Sequence, residues 1–356
     1  MNEFFITYLP TFVLILVLFG VTMLVALYST YGERKVAAYM QDRLGPNRFG
    51  VGGILQPLAD GLKFFLKEEV IPDVSNRFLF ILGPCIAMIA ALMTGVVIPW
   101  GDELTIFERT VSLQIADLNI GVLYVFGVLS VGVYGIMIGG WASNNKFSLL
   151  GALRASSQVI SYELGMGLSL IALLMITGTL SFKEIAEQQH GFWDNGWFTW
   201  NFFVQPVGFL IFLVCAFAEC NRTPFDLPET ETELIGGYHT EYSSMKLGLY
   251  LFSEYINMFI SSAIMATLFF GGYNYPFMDA VENALGQNAA TLIGTAVLFG
   301  KIFFFIFFFM WVRWTIPRFR YDQLMHLGWR VLIPLALVNI ALTGLGIYLF
   351  NPGYFK

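Results

Sequence analysis

Leu118–Asn144 reads LNIGVLYVFGVLSVGVYGIMIGGWASN, without a charged side chain from end to end. A helix needs about 20 mostly apolar residues to cross the hydrocarbon core of a bilayer. Lipid offers backbone N–H and C=O groups no partner, so a run of this kind spans as a helix that satisfies them internally. The pattern repeats outward from this stretch. Tyr8–Tyr31, Phe78–Trp100, Asn195–Ala218 and Val331–Phe350 are also uncharged. Leu164–Phe182 is uncharged behind Glu163, Tyr255–Met278 behind Glu254, and Ala289–Trp311 is broken only by Lys301. With 57% hydrophobic and 12% charged residues, the chain is excluded from the soluble classes. The expected fold is an all-α integral membrane protein with about eight transmembrane helices. It reads as a single membrane domain over 1–356, with spans near 8–31, 78–100, 118–142, 159–180, 200–219, 248–272, 289–311 and 331–350.

The N-terminal MNEFF lacks a basic region and no small-residue cleavage site follows, so the first span reads as an anchor rather than a signal peptide. An even number of spans puts both termini on one side. Of the 19 basic residues, 15 fall in the loops after spans one, three, five and seven. The positive-inside bias therefore predicts outward termini and long cytoplasmic loops. The outward loops near 101–117, 183–200 and 273–288 read as connections, and function is expected on the inner face.

Cys85, Cys215 and Cys220 have no metal-ligand spacing, and His190, His239 and His326 are far apart and outside the spans. Neither a metal site, a haem nor an iron–sulfur cluster is expected in this chain. Phosphate-cradling and dinucleotide motifs are absent. Any redox cofactor would sit in a partner, and nothing points to nucleic acid.

Four constellations carry chemistry. Glu33-Arg34-Lys35 ends the first span, followed by Arg43 and the Gly45-Pro46-Asn47 turn. Beyond the turn, GGILQPLADGLKFFLKEE (52–69) places Ile54, Leu55, Leu58, Leu62, Phe65 and Leu66 at helical spacing, with Asp60, Lys63 and Lys67 on other sides. This predicts an amphipathic helix near 52–68, lying in the membrane interface or packed on a partner subunit. Next, Arg154, Gln158 and Tyr162 follow at four-residue spacing, and Glu163 stands where an apolar run begins. A carboxylate there, with Arg and Tyr nearby, suits proton exchange between water and the membrane interior.

The third constellation is the acidic loop 219–246. Glu219, Asp226, Glu229, Glu231, Glu233, Glu241 and Glu254 face only Arg222 and Lys246 between Phe217 and Tyr255. Glu254 reads as one to two turns into the next span. Acids at a membrane edge are costly unless paired or hydrated, which makes them functional candidates. Crowded carboxylates also raise one another's proton affinity, which suits a relay. In the fourth constellation, Lys301 sits near mid-span and needs a carboxylate partner or water. Arg313, Arg318, Arg320 and Arg330 follow it and could dock acids of the loop.

Six motifs resemble a known family: E-R-K-x-x-A-x-x-Q-x-R-x-G-P-N (33–47), G-W-A-S-N-N-K (140–146), A-L-R-A-S-S-Q-x-I-S-Y-E (152–163), A-E-x-N-R-T-P-F-D-L-P-E (218–229), H-T-E-Y-S (239–243) and P-R-F-R-Y-D-Q-L-M (317–325). In order and spacing they look like the H-type membrane subunits of bacterial NADH:quinone oxidoreductase, counterparts of NADH dehydrogenase subunit 1 in mitochondrial respiratory complex I. Departures are small: Cys220 for a common threonine, Ile235-Gly236 for Val-Ala or Val-Ser, and Ser244 for glycine.

The resemblance implies a translocase subunit in the bacterial inner membrane, with quinone as substrate and no cofactor or redox catalytic residue of its own. NADH, FMN and iron–sulfur clusters would belong to peripheral-arm partners, and small and antiporter-like membrane subunits would be neighbours. It implies that Glu33, Arg34, Arg43, Asp60 and Lys63 line or support a quinone tunnel and its entrance. Glu163, Glu219, Asp226, Glu229, Glu231, Glu233, Glu241 and Glu254 would form the acidic proton path, with Lys301 joined to it. Arg154, Arg222 and Arg313 would support or gate that path. Alternatives are the homologous subunit of an energy-converting hydrogenase or coenzyme F420-type dehydrogenase, and a stand-alone secondary transporter. The transporter would be expected to show internal repeats, and none is visible.

Overall fold

The computed structural model describes residues 2–106, 109–191, 199–227 and 234–350. Helix α1 (Asn2–Met40) is followed by the short α2 (Gln56–Leu66), α3 (Arg77–Thr94) and a hairpin of β1 (Glu103–Ile106) and β2 (Arg109–Ser112). Then come α4 (Gly121–Ala142), α5 (Lys146–Thr177), the short α6 (Phe182–Glu187) and α7 (Asn201–Val204), and α8 (Pro206–Glu219). Helix α9 (Ser244–Phe269), α10 (Met278–Leu285) and α11 (Gln287–Thr315) follow. The last helix runs as α12 (Tyr321–His326), a π turn (Leu327–Leu332) and α13 (Ile333–Phe350). Among the described residues, seven helices are long and apolar enough to cross a membrane. The chain is an all-α integral membrane protein.

Three elements depart from the lengths read in the sequence. The helix α1 continues beyond its apolar run and carries Glu33, Arg34 and Lys35 as helical residues. Helix α5 begins at Lys146, where Asn145 caps it by accepting from Phe147 N–H, and ends at Gly178 in the left-handed region. Arg154, Gln158 and Glu163 therefore ride one continuous helix. Helix α8 has 14 residues and is only about 21 Å long. Pro206 lacks an N–H and restarts the helix after Gln205. The Gln205 side chain fills the break by donating to Thr343 Oγ1 and accepting from Asn339 Nδ2.

Helix α9 is the central element, packed against α1, α3 and α11 and buried along most of its length. Against α3 and α4, bulk is excluded by glycine. A Cβ on Gly135 would lie 2.7 Å from Ala87 N, inside contact distance. Gly83 and Gly139 leave room for Tyr250, whose hydroxyl donates to Gly135 O at 3.0 Å. The turn into α9 explains one family departure: Ser244 has φ 54, a conformation that favours glycine. Here its hydroxyl bonds Phe64 O and Lys67 O, tying the end of α2 to the start of α9.

The loops that read as connections do more than connect. Gln189 donates to Ile185 O and Thr267 O and accepts from Asn201 N and Gly271 N. Asn201 and Asn274 donate to Leu268 O and Ala186 O. This side-chain stitching fastens the irregular backbone beyond α9 to α6 and α7, with the polar groups satisfied internally.

Candidate functional site

A cavity of about 600 Å3 opens between α1, α2, α9 and α11. The five tunnel candidates, Glu33, Arg34, Arg43, Asp60 and Lys63, all line it. So do Arg222, Glu254 and Arg313, which the sequence reading assigns to or beside the proton path. Leu27, Phe64, Leu251 and Trp314 are among its apolar walls. Its α2 wall turns Leu58, Leu62, Phe65 and Leu66 outward, so the expected apolar face is exposed along the helix.

Glu33 organises the charged end. Its Oε1 lies 2.5 Å from Arg313 Nη1, and its Oε2 accepts from Tyr255 Oη at 2.8 Å and lies 3.6 Å from Arg222 Nη1. Arg222 stacks over the Tyr255 ring at 4.1 Å and reaches Glu254 at 3.9 Å. Tyr238 Oη donates to Glu254 Oε1 at 3.1 Å. The side chains of Glu33, Arg222 and Glu254 are each less than a tenth exposed, so these charges survive burial because they face one another. Glu254 stands ten residues into α9, nearly three turns, deeper than its sequence position suggests.

The remaining acids are distributed around this hub. Asp226 pairs with Arg318 at 2.7 Å, and the same loop accepts Phe319 N–H at Pro224 O, so the acidic segment docks on the chain leading to α12. Glu241 accepts from Asn145 Nδ2 at 2.6 Å beside the α5 cap. Glu163 bonds Ser130 on α4. Glu219 is buried at the end of α8 and lines two small internal cavities. Glu229, Glu231 and Glu233 lie outside the described residues. Beside the loop, burial pushes the Tyr242 hydroxyl up to about 12, and at neutral pH it stays protonated and donates to Phe80 O and Gly139 O.

Geometry bears on three expectations. Arg154 packs over the Tyr321 ring at 5.9 Å. Glu163, nine residues later on the same helix, points to the opposite side, since nine steps of about 100° make two and a half turns. Tyr162, buried, donates to Leu324 O rather than to Glu163. Among the described residues, Arg313 docks Glu33 of the first constellation and Arg318 reaches Asp226 of the acidic loop. Lys301 has neither a carboxylate within ion-pair distance among the described residues nor a place in the acidic cluster. Its Nζ donates to Phe270 O, Gly272 O and Asn274 O at 2.7, 2.7 and 2.8 Å. Those carbonyls lie beyond the C-terminal end of α9, about 24 Å along the helix from Glu254. Three oriented carbonyls satisfy a buried ammonium as a counter-charge would.

Residues 12–344 match the family model for NADH dehydrogenase. The chain belongs to the NADH dehydrogenase family. It is 68% identical over 332 residues to the NADH-quinone oxidoreductase H subunit of Flavobacterium johnsoniae, covering 93% of each chain. Against an NADH-quinone oxidoreductase H subunit of Cytophaga hutchinsonii the identity is 63%, over 95% of this chain and 96% of the relative. A protein named NADH-quinone oxidoreductase subunit 8, from Rhodothermus marinus, is 47% identical over 92% and 94%. The resemblance read from the six motifs is thereby borne out.

In this NADH dehydrogenase family member, the site also recruits residues that the sequence reading does not single out for it: Tyr238, Tyr255, Ser130 and Asn145. Each supplies a hydrogen bond to an acid already named. Neutral donors carry no charge signal in a hydrophobic run, but Tyr255 was legible as the neighbour of Glu254 at the head of an uncharged span.

Proposed function

We propose that this chain is the membrane subunit of an NADH-quinone oxidoreductase that walls the quinone-access tunnel and holds the first carboxylates of the proton path. The observation that carries this reading is a single cavity lined both by the tunnel candidates and by Arg222, Glu254 and Arg313. Its volume falls in the ordinary range for small-molecule sites, roughly 300–1,000 Å3. Apolar walls suit an isoprenoid tail, and the charged end suits a quinone head that gains negative charge on reduction.

Electrons reach quinone from NADH through FMN and iron–sulfur clusters held by peripheral-arm subunits, and this chain supplies no redox group. A negative charge arriving near Arg222 and Arg313 competes with Glu33 and Glu254 for the same cations. That competition shifts the proton affinity of the carboxylates and biases the acidic loop, which carries Asp226, Glu229, Glu231, Glu233 and Glu241. Glu219 and Glu163 continue the path toward neighbouring membrane subunits. The termini face the periplasm, and the cavity side faces the cytoplasm and the peripheral arm.

Gly61 lines the cavity, and a Cβ added there meets nothing within 4 Å. Gly61→Trp in the assembled complex is expected to raise KM for long-tailed quinones about tenfold, a loss near 1.4 kcal/mol of binding. NADH:ferricyanide reduction, which bypasses quinone, stays unchanged. Unaltered long-tailed quinone kinetics in a normally assembled complex would overturn the tunnel reading.

A further inference from the structure

Behind the charged cavity, two small cavities adjoin one another along α9. The first, about 30 Å3, is lined by Glu219, Glu254, Asn257, Asn221 and Tyr238, among others. The second, about 20 Å3, is apolar except for Glu219, Asn257 and Ser261. Glu219 and Asn257 thus face both. Glu219 is only 8% exposed, and its Oε2 has no hydrogen-bond partner among the described residues. Asn257 Oδ1 is likewise buried without a partner among them. Buried acceptors are almost always satisfied by a donor from protein or ordered water.

The sequence lays out this arrangement in one stripe. Glu254, Asn257 and Ser261 follow at i, i+3 and i+7 on α9, which keeps them on one face toward the end of α8. Two acceptors facing one polar gap cannot bond each other while Glu219 is ionised, but both can receive from water. A water needs about 10–15 Å3 of such space and two to four polar partners, and each cavity provides the volume. Asn257 is suited to hold it because a carboxamide accepts strongly yet does not titrate, so it orients water without trapping a proton.

We infer that Asn257 holds ordered water between Glu254 and Glu219 and is a positioning residue for proton transfer between them. This rests on the proton-path reading given above. In each transfer, the carboxyl O–H at one end breaks as the water oxygen takes that proton. The water passes one of its own protons to the carboxylate at the other end. No electron changes hands, and the water is regenerated.

The test compares Asn257→Leu, Asn257→Ser and Glu219→Gln in the assembled complex in membrane vesicles, with assembly followed by native gel and NADH:ferricyanide activity. Asn257→Leu is expected to lower NADH-driven proton pumping about tenfold, an activation difference near 1.4 kcal/mol. Asn257→Ser, whose hydroxyl and extra space keep a hydrated gap, should retain most of it. A density map of the wild-type complex should show a water within hydrogen-bond distance of both Asn257 Oδ1 and Glu219 Oε2. Normal pumping in Asn257→Leu, equal losses in the Leu and Ser variants, or no water peak at the pair would each overturn the inference. Should Asn257→Leu fail to assemble, the wild-type map decides alone. Impairment by Glu219→Gln with normal Asn257→Leu would leave the proton path standing without this water. A silent Glu219→Gln would remove Glu219 from the path, and this inference with it.

Discussion

Glu33 on α1 and Arg313 on α11 meet at 2.5 Å on the wall of the charged cavity, although they come from near opposite ends of the chain. The pair fixes where the C-terminal ends of these two helices stand relative to α9, whose Tyr255 completes the contact. It also leaves a mostly buried carboxylate dependent on cations contributed by two other segments, Arg222 and Arg313.

Arg313→Leu should destabilise the assembled complex strongly, because removing one partner of a buried pair costs about 3–5 kcal/mol. The remaining Arg222 contact places the effect toward the lower end. Glu33→Gln combined with Arg313→Leu should recover part of the loss, since no uncompensated charge remains. Thermal inactivation of the purified complex measures both; additive effects of the two changes would show that the pair is not coupled.

Lys301→Met removes the donor from three carbonyls beyond α9. Each buried polar group left unsatisfied costs about 1–3 kcal/mol, so faster heat inactivation is expected. Quinone turnover per assembled complex and the ratio of protons pumped to electrons transferred should stay at wild-type values. A lowered ratio would bring Lys301 back into the proton path.

Gly139→Ala places a methyl 2.9 Å from Tyr242 Oη and closer still to Tyr250. Overpacking of this kind costs about 1–3 kcal/mol, and the yield of assembled complex on a native gel should fall. Gly127→Ala, on the same helix with nothing within 4 Å of the new Cβ, is the control and should be silent. Similar yields for the two variants would contradict the close packing of α4 on the tyrosines.

Ser130→Ala deletes the hydroxyl that bonds Glu163. Coupled turnover should drop severalfold while assembly persists, and Ser130→Thr, which keeps the hydroxyl, should stay near wild type. Proton pumping in vesicles distinguishes them. Equal behaviour of Ala and Thr would mean that the hydroxyl does not tune Glu163.

The fold class was legible because long uncharged runs have one stable solution in lipid, a helix with its backbone satisfied internally. Helix ends were not. Polar residues continue α1 past residue 31 and begin α5 at Lys146, and packing with an Asn145 cap, not hydropathy, decides those limits. The tunnel candidates in 33–63 were implied by the family resemblance, and the structure gathers them on one cavity. Lys301 misled for a clear reason: its partners are backbone carbonyls, which have no signature in side-chain identity.

By itself, the sequence determined the membrane class, the family and which ionisable groups enter the apolar interior, because composition and local spacing carry that information. Only the tertiary structure decided which acid meets which base. A one-residue step turns a helical side chain by about 100°. Glu163 and Arg154 therefore part on one helix, while Glu33, Arg222, Glu254 and Arg313 converge from four segments whose rotations are set by packing against α9.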